Sequence, residues 1–311
     1  MKRIGSVSLL ISLLAFAAFA QTAQQHLTAG NTYYQSKQYP QAIASYSEAI
    51  RLQPSSSEAW YNRGQAHYYS GQIEKAIADY SQAIVLKPAN VDALFQRGLA
   101  KNKKGDHAGA IIDYTQGLVL TPNNSQLYYN RGIARADSKD DDGALIDYNK
   151  AISINPNYTR AFVNRSAVYF RKKQFDLALA DINKAIQLDP TYADAWDNRG
   201  VIYNIQNLPD LAIADFSQAL KLNPNNPKPY VDRAISYNKK KQNDLAIADL
   251  NKALSLDPKY IGAYIFRGAI YFDTKQYVLS KTDFEHVLKL SPGHKFATDT
   301  LARINALPKT Q

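Results

Sequence analysis

Two columns of opposite charge recur at one spacing. Arg63, Arg97, Arg131, Arg165, Arg199, Arg233 and Arg267 each stand sixteen residues before an aspartate: Asp79, Asp113, Asp147, Asp181, Asp215, Asp249 and Asp283. A guanidinium presents a planar fork of donors that matches a carboxylate, so the chemistry of this pairing is bidentate ion pairing and not bond-making. A further column is made of Asn62, Gln96, Asn130, Asn164 and Asn198, continued by Asp232. A carboxamide carries donor and acceptor together, so a row of them can pair with successive peptide groups of an extended chain, or else bond to neighbouring helices. Aromatic residues gather in the N-terminal half as Tyr34, Tyr61, Tyr68, Tyr69, Phe95 and Tyr129. Tyrosine is frequent at interface hot spots, although Tyr61 and Tyr68 also suit helix packing. The C-terminal half offers Phe170, Asp197, Asn204, Asn238 and Phe272, a more polar set.

Catalytic chemistry finds no comparable pattern. His26, His67, His107, His286 and His294 are scattered without metal-ligand spacing, and no glycine-rich phosphate loop follows a strand. Asp140, Asp141 and Asp142 form a short acidic turn that lacks the other ligands of a calcium loop. The expectation is a protein that is not an enzyme and uses no cofactor or metal.

The elements that position these columns follow from the prolines. Pro54, Pro88, Pro122, Pro156, Pro190, Pro224, Pro258 and Pro292 stand 34 residues apart, which means one supersecondary unit copied in tandem. With each repeat begun 31 residues before its proline, the eighth position reads Gly30, Gly64, Gly98, Gly132, Ser166, Gly200, Ala234 and Gly268. The twentieth is alanine from Ala42 to Ala246 and Ser280 in the last repeat. Small residues here let two antiparallel helices approach closely, while large ones at the fourth, eleventh and twenty-fourth positions, such as Trp60, His67 and Tyr80, fill the space between them. A turn near the fifteenth position brings the arginine and aspartate columns to one height. Repeat 1 lacks both, having Ala29 and Ser45.

This pattern resembles the tetratricopeptide repeat over residues 23–294, with the run Ser57, Trp60, Tyr61, Asn62, Gly64, Tyr68, Ala76, Tyr80, Ala83 and Pro88 close to its consensus. The resemblance implies an all-α, right-handed solenoid of helix-turn-helix repeats at 23–56, 57–90, 91–124, 125–158, 159–192, 193–226, 227–260 and 261–294, with helices A lining the inner face. It also gives the carboxamide column a counterpart in the asparagine ladder of superhelices that hold a client peptide. The family's clamp for acidic chaperone tails needs a lysine at the fifth position. Here that column reads Leu27, Tyr61, Phe95, Tyr129, Val163, Asp197, Val231 and Ile265, which excludes the clamp. Residues 295–311 read as a capping helix and tail, with Phe296, Thr300, Leu301, Ile304 and Leu307 on one face and Pro308 ending it.

The first twenty residues differ in kind. Lys2 and Arg3 precede an apolar run, and Ala18-Phe19-Ala20 offers small residues where a signal peptidase reads, so residues 1–20 are expected to be a signal peptide cleaved before Gln21. The chain then belongs in a bacterial periplasm or the medium and does not span a membrane once cleaved; the alternative is an uncleaved membrane anchor, for which the run is short against a span of about 20 residues. Without cysteine, stability rests on packing. The net charge of +10 falls to about +8 when Lys2 and Arg3 are removed. No nucleic-acid motif accompanies it, so nucleic acid is not an expected partner. Basic residues cluster at alternate turns as Lys101, Lys103 and Lys104, then Arg171, Lys172 and Lys173, then Lys239, Lys240 and Lys241. The leading expectation is a non-enzymatic envelope scaffold gripping an extended protein or peptide client. The alternative is a structural protein that self-associates or binds an anionic envelope polymer through this basic rim.

Overall fold

A computed structural model describes residues 21–307, and the segment on which the signal reading rests lies outside the described residues. The described chain is helical throughout and divides into two compact units, one ending at Ala161 and the other beginning at Phe162. In the first unit α1 (residues 21–35) is followed by α2 (Tyr39–Leu52), α3 (Ser57–Tyr69), α4 (Ile73–Leu86), α5 (Val91–Lys104), α6 (His107–Leu120), α7 (Ser125–Asp137) and α8 (Asp141–Ile154). The division point falls within α9 (Thr159–Arg171). Beyond it come α10 (Phe175–Leu188), α11 (Ala193–Ile205), α12 (Pro209–Leu222), α13 (Pro227–Lys239), α14 (Asn243–Leu256), α15 (Ile261–Asp273), α16 (Tyr277–Leu290) and α17 (Lys295–Asn305). Odd-numbered helices up to α15 are helices A of their repeats, and even-numbered ones are helices B.

Each A-to-B turn is made by one residue in the left-handed region. Gly71 and Gly105 supply it at φ 82° and 89°, while Lys37, Lys139, Lys173, Asn207, Lys241 and Lys275 adopt φ between 57° and 69° at the same position. The turn stops helix A by satisfying its last carbonyls: Gln72 N–H bonds to His67 O at 2.8 Å and Gly71 N–H to Tyr68 O at 3.1 Å. Some helices begin at a short polar side chain that caps them, as Asn90 does for Ala93 N–H and Asp106 for Gly109 N–H, while others, such as α4 after Gln72, start without a side-chain cap. The repeated proline follows the end of helix B, where its carbonyl accepts the indole N–H of Trp60 from Pro54 and of Trp196 from Pro190, both at 2.9 Å.

Packing within a repeat explains the glycine column. A Cβ added at Gly30, Gly64, Gly98, Gly132 or Gly200 would come within 2.5–2.8 Å of the ring at position 24, namely Tyr46, Tyr80, Tyr114, Tyr148 or Phe216. Where position 8 does carry a Cβ, as Ser166 and Ala234, position 24 is the smaller Ile182 or Leu250. Ring size and glycine are thus two halves of one volume constraint. In repeat 8 the serine that replaces alanine at position 20 satisfies its hydroxyl on Gly268 O at 2.8 Å, so Ser280 is fully buried without an open donor.

The packed helix pairs define the curvature of each unit. In the first, α3 packs on α5 and α5 on α7; in the second, α11 packs on α13 and α13 on α15. No successive pair of helices B packs in this way among the described residues, so within each unit the A side is the inward-curving one. The second unit is closed by α17, whose Ala297, Thr300 and Ile304 are buried. The expected apolar face is only partly buried there: Phe296 meets Phe284 edge-on at 5.7 Å yet stays half-exposed, Leu307 is exposed, and Ala297 is the residue buried against Phe284 and Val287.

This volume constraint is directly testable. Gly98→Ala should cost about 1–3 kcal/mol by overpacking against Tyr114, more than the roughly 1 kcal/mol gained in helix propensity. Made on top of Tyr114→Leu, the same change should be neutral or stabilising, as urea unfolding followed by circular dichroism would show.

Candidate functional site

The arginine column forms the most regular feature of the A–B interface. Arg63 donates from Nε and Nη2 to the two carboxylate oxygens of Asp79, both at 2.8 Å. The same two-pronged geometry joins Arg97 to Asp113, Arg131 to Asp147, Arg165 to Asp181, Arg199 to Asp215, Arg233 to Asp249 and Arg267 to Asp283, all at 2.6–2.9 Å. All seven aspartates are buried. The third arm of the arginine leaves the repeat altogether. Nη1 of Arg63 donates to Ser47, of Arg97 to Ser81, of Arg131 to Thr115, of Arg199 to Asn183, of Arg233 to Ser217 and of Arg267 to Asn251, each at position 25 of the preceding repeat. Where position 4 is aromatic the guanidinium also lies over that ring, 4.7 Å from Trp60 for Arg63 and 4.9 Å from Trp196 for Arg199. Hydrogen bonding to Asp249 holds the Arg233 guanidinium above its ordinary pKa, in spite of burial.

Sequence reasoning saw the pair within the repeat and missed the link between repeats. It also placed Lys101 on a basic rim, whereas its ammonium lies 2.9 Å from Asp113 and is mostly buried. Arg135 does the same for Asp147 at 2.9 Å. Both stand at position 11, where later repeats carry Tyr169, Tyr203 and Tyr237 close to the arginines. His67 occupies that position in repeat 2, with Nε2 3.7 Å from Asp79 and Nδ1 buried without a partner. Burial lowers its pKa against the pull of Asp79, with Arg63 adding to the lowering. Of the remaining basic turns, Lys103 lies over the Tyr68 ring at 5.0 Å, Lys104 reaches Glu74 at 3.4 Å, Lys239 donates to Asn204 O and Lys240 pairs with Asp210.

The carboxamide column lies on helices A, and its members differ in what they already hold. Asn62 donates to Asn31 Oδ1 at 3.1 Å, an oxygen that also accepts from Tyr46 at 2.8 Å. Asn130 donates to Gln126 O of its own helix at 2.8 Å. Gln96, Asn164 and Asn198 are half-buried. In the second unit Asn198 lines a cleft between α9 and α11 together with Ser166, Ala167, Phe170, Arg171, Val201 and Ile202. Asp232 is bound to Lys228.

The aromatic candidates fall into two groups. Tyr61, Phe95 and Tyr129 at position 5 rest against Tyr80, Tyr114 and Tyr148, with centroids 5.9–6.1 Å apart, so they extend the core. Tyr34, Tyr68 and Tyr69 instead cluster with Tyr39, which sequence reasoning had not singled out. Tyr69 stacks on Tyr39 at 6.0 Å and meets Tyr68 edge-on at 5.5 Å, while 56% of its surface stays exposed.

Position 5 breaks its apolar pattern at Asp197. This carboxylate is buried, accepts from Lys228 Nζ at 2.6 Å through Oδ2, and leaves Oδ1 without a partner. Lys228 bridges at once to Asp232 Oδ2 at 2.7 Å. Burial raises the Asp197 pKa against the pull of Lys228. Nearby, Asn204 accepts from the buried Ser236 hydroxyl at 2.9 Å and donates to Asp232 O at 3.2 Å. Among the described residues no cluster of side chains could hold a metal ion, and no helix is long and apolar enough to cross a membrane.

Family models described as TPR repeat match residues 30–71, 65–105 and 167–207, and models described as tetratricopeptide repeat match 125–158, 193–226, 227–260 and 261–294. No curated protein matches by sequence. Among solved structures, a tetratricopeptide repeat protein from Parabacteroides merdae is 20% identical, with a TM-score of 0.63 over 80% of this chain and 98% of its own. Yeast Tom70 is 19% identical, with a TM-score of 0.60 over 91% of this chain and 63% of its own. Pseudomonas aeruginosa pilF is 18% identical, with a TM-score of 0.61 over 68% of this chain and 97% of its own. At such identities the likeness is one of fold.

Two measurements check the electrostatics of the interface. Asp249→Ala should cost about 3–5 kcal/mol by stranding a half-buried guanidinium, and Ser217→Ala about 1 kcal/mol. Arg233→Ala combined with Asp249→Ala should cost less than the sum of the two, read from chemical melts with local hydrogen exchange. The lowered pKa of His67 means that the folded state favours the neutral ring. Its contribution is complete well above the ordinary value of 6.5 and is lost as pH falls through that value toward the folded one. Acidifying from about pH 7.5 to 5.5 should therefore destabilise the parent more than His67→Phe, by thermal melting at each pH.

Proposed function

Because the chain belongs to the tetratricopeptide repeat family, we propose that it is a non-enzymatic scaffold that holds an extended segment of a partner protein along the inner side of its helices A. The observation that carries this reading is the cleft between α9 and α11, where the ladder residue Asn198 stands beside the apolar surface of Phe170, Val201 and Ile202. A backbone-pairing carboxamide next to an apolar recess is what an extended peptide requires: the amide meets its main chain and the recess takes a side chain. The exposed Tyr69 and its tyrosine neighbours extend the contact surface in the first unit. Asn62 and Asn130 already have partners inside the protein, so their share in client binding requires exchange of those bonds. We place this activity in a bacterial envelope, on the strength of the signal-like residues 1–20.

The test begins with the mature protein used as bait in its own envelope extract, with intact mass expected to show a chain starting at Gln21. For the client so captured, replacing Asn130, Asn164 and Asn198 together by alanine should leave helical content nearly unchanged. Affinity should fall by about 0.5–1.5 kcal/mol per lost hydrogen bond. If the triple variant binds as tightly as the parent, the ladder is structural. Reversing Lys172 and Lys173 to glutamate separates the polymer-binding alternative, because binding through the rim would collapse with this change and weaken steeply with salt.

A further inference from the structure

The buried Asp197 is a departure the scaffold does not need. Position 5 is filled by an apolar or aromatic side chain in every other repeat, and Val163 and Val231 occupy it on either side. A carboxylate there is buried with Oδ1 unpartnered, a costly arrangement that calls for a reason. Its other oxygen holds Lys228 Nζ at 2.6 Å, and Asp232 holds the same nitrogen at 2.7 Å. Asp194 lies one turn before Asp197 on α11 and adds to the negative potential at Asp197. Two carboxylates therefore share a single ammonium with a third close to the first, leaving a local surplus of negative charge in a chain whose overall charge is +10. Lys228 itself is only half-buried, with 47% of its side chain exposed, so it can swing away from the pair.

This site and the apolar cleft are consecutive. Asn198 and Val201 of the cleft stand one and four residues after Asp197 on α11, and the cleft opens toward α9 while the carboxylates bridge α11 to α13. We propose that the second unit takes a client segment bearing an apolar side chain and, a few residues away, a basic one. The apolar group enters the α9–α11 cleft, and the cation seats on Asp197 and Asp232 in the place Lys228 fills when no client is bound. Arginine suits the position better than lysine, because its fork can engage the free Oδ1 of Asp197 as well as the oxygen that Lys228 now holds. Neighbouring helices lie about 8–10 Å apart and an extended chain advances about 3.3 Å per residue, so the two side chains should be roughly three residues apart. The inference rests on the groove reading above and adds the chemistry of the client.

The experiment uses the full chain and fluorescein-labelled peptides of about twelve residues, enough to span both sites in extended form. Each is built of glycine, serine and alanine and carries one phenylalanine and one arginine roughly three residues apart, in either order. Matched probes replace arginine by the neutral, isosteric citrulline. Fluorescence anisotropy should show the better arginine peptide binding about tenfold more tightly than its citrulline partner. Asp197→Val, which restores the residue of the flanking repeats, should raise the melting temperature and reduce that preference to below about threefold. Lys228→Met, by removing the resident cation, should tighten binding of the arginine peptide. Equal binding of arginine and citrulline probes, or an undiminished preference in Asp197→Val, overturns the inference while leaving groove binding intact. Failure of every probe to bind overturns both.

Discussion

From the second repeat to the eighth, each helix pair is fastened by one guanidinium. The arginine at position 7 spends two of its donors on the aspartate of its own helix B and a third on position 25 of the repeat before. A single side chain thus fixes the angle of a helix pair and the register of that pair on its neighbour. The energetic gain need not be large, since desolvating two charges offsets most of their attraction. What the pairing supplies is geometry: a planar fork on a fixed carboxylate tolerates little rotation, and except in repeat 3, where position 4 is Leu94, a ring at that position covers its face. The ends of the array follow from this logic. Repeat 1 has no arginine or aspartate in these columns but keeps Ser47 at position 25, because that residue serves Arg63 of the next repeat. Repeat 8 has Glu285 there, and α17 carries Leu301 where a further repeat would place its arginine.

Much of the fold was legible because repetition turns a weak local signal into a column. The prolines, the glycines at position 8 and the alanines at position 20 each report a steric requirement that recurs along the array, and the rings at position 24 that impose it on the glycines form a column of their own. The Arg–Asp pairing was readable for a second reason: the two residues fail together in repeat 1. The link to position 25 was present as a run of hydroxyls and amides, but its partner lies in another repeat, and comparing one repeat with the next does not show which surfaces meet between them. The basic turns misled in part. Lys101 was counted with Lys103 and Lys104 as surface, yet position 11 faces the buried aspartate, so a cation there is drawn inward to Asp113. Spacing alone does not distinguish a lysine at the end of helix A from one in the turn just after it.

The candidate site was harder to read than the fold, and the difficulty is physical. A residue that binds a client and one that bonds to the adjacent helix have the same amphipathic chemistry and occupy the same columns. Asn62 and Asn130 illustrate this: both stand in the expected row, and one is held by Asn31 and the other by its own backbone. Tyr61, Phe95 and Tyr129 sit on core rings, whereas Tyr69, at a position no column had marked as structural, is the exposed one.

A repetitive scaffold therefore inverts the usual weight given to recurring residues. Columns describe what stacking requires, and because stability is shared among nearly equivalent interfaces, one repeat can depart from a column without unfolding the array. Departures that leave a buried polar atom unsatisfied are where binding chemistry can be written. Ser166 with Ile182 is not such a case, since the smaller partner compensates the added atom. Asp197 is, because no neighbouring group completes its hydrogen bonding and the valines on either side show that an apolar residue fits the position. The same criterion separates His67, whose buried Nδ1 is also unpartnered, from Lys101 and Arg135, which complete an ion pair at the equivalent place. At Asp197 the residue with the unpartnered oxygen adjoins a cleft on the inward-curving side, whereas His67, with its unpartnered nitrogen, lies against the Arg63–Asp79 pair inside the repeat. Burial alone marks both residues as costly; only the position of the cleft makes one of them a place for a ligand.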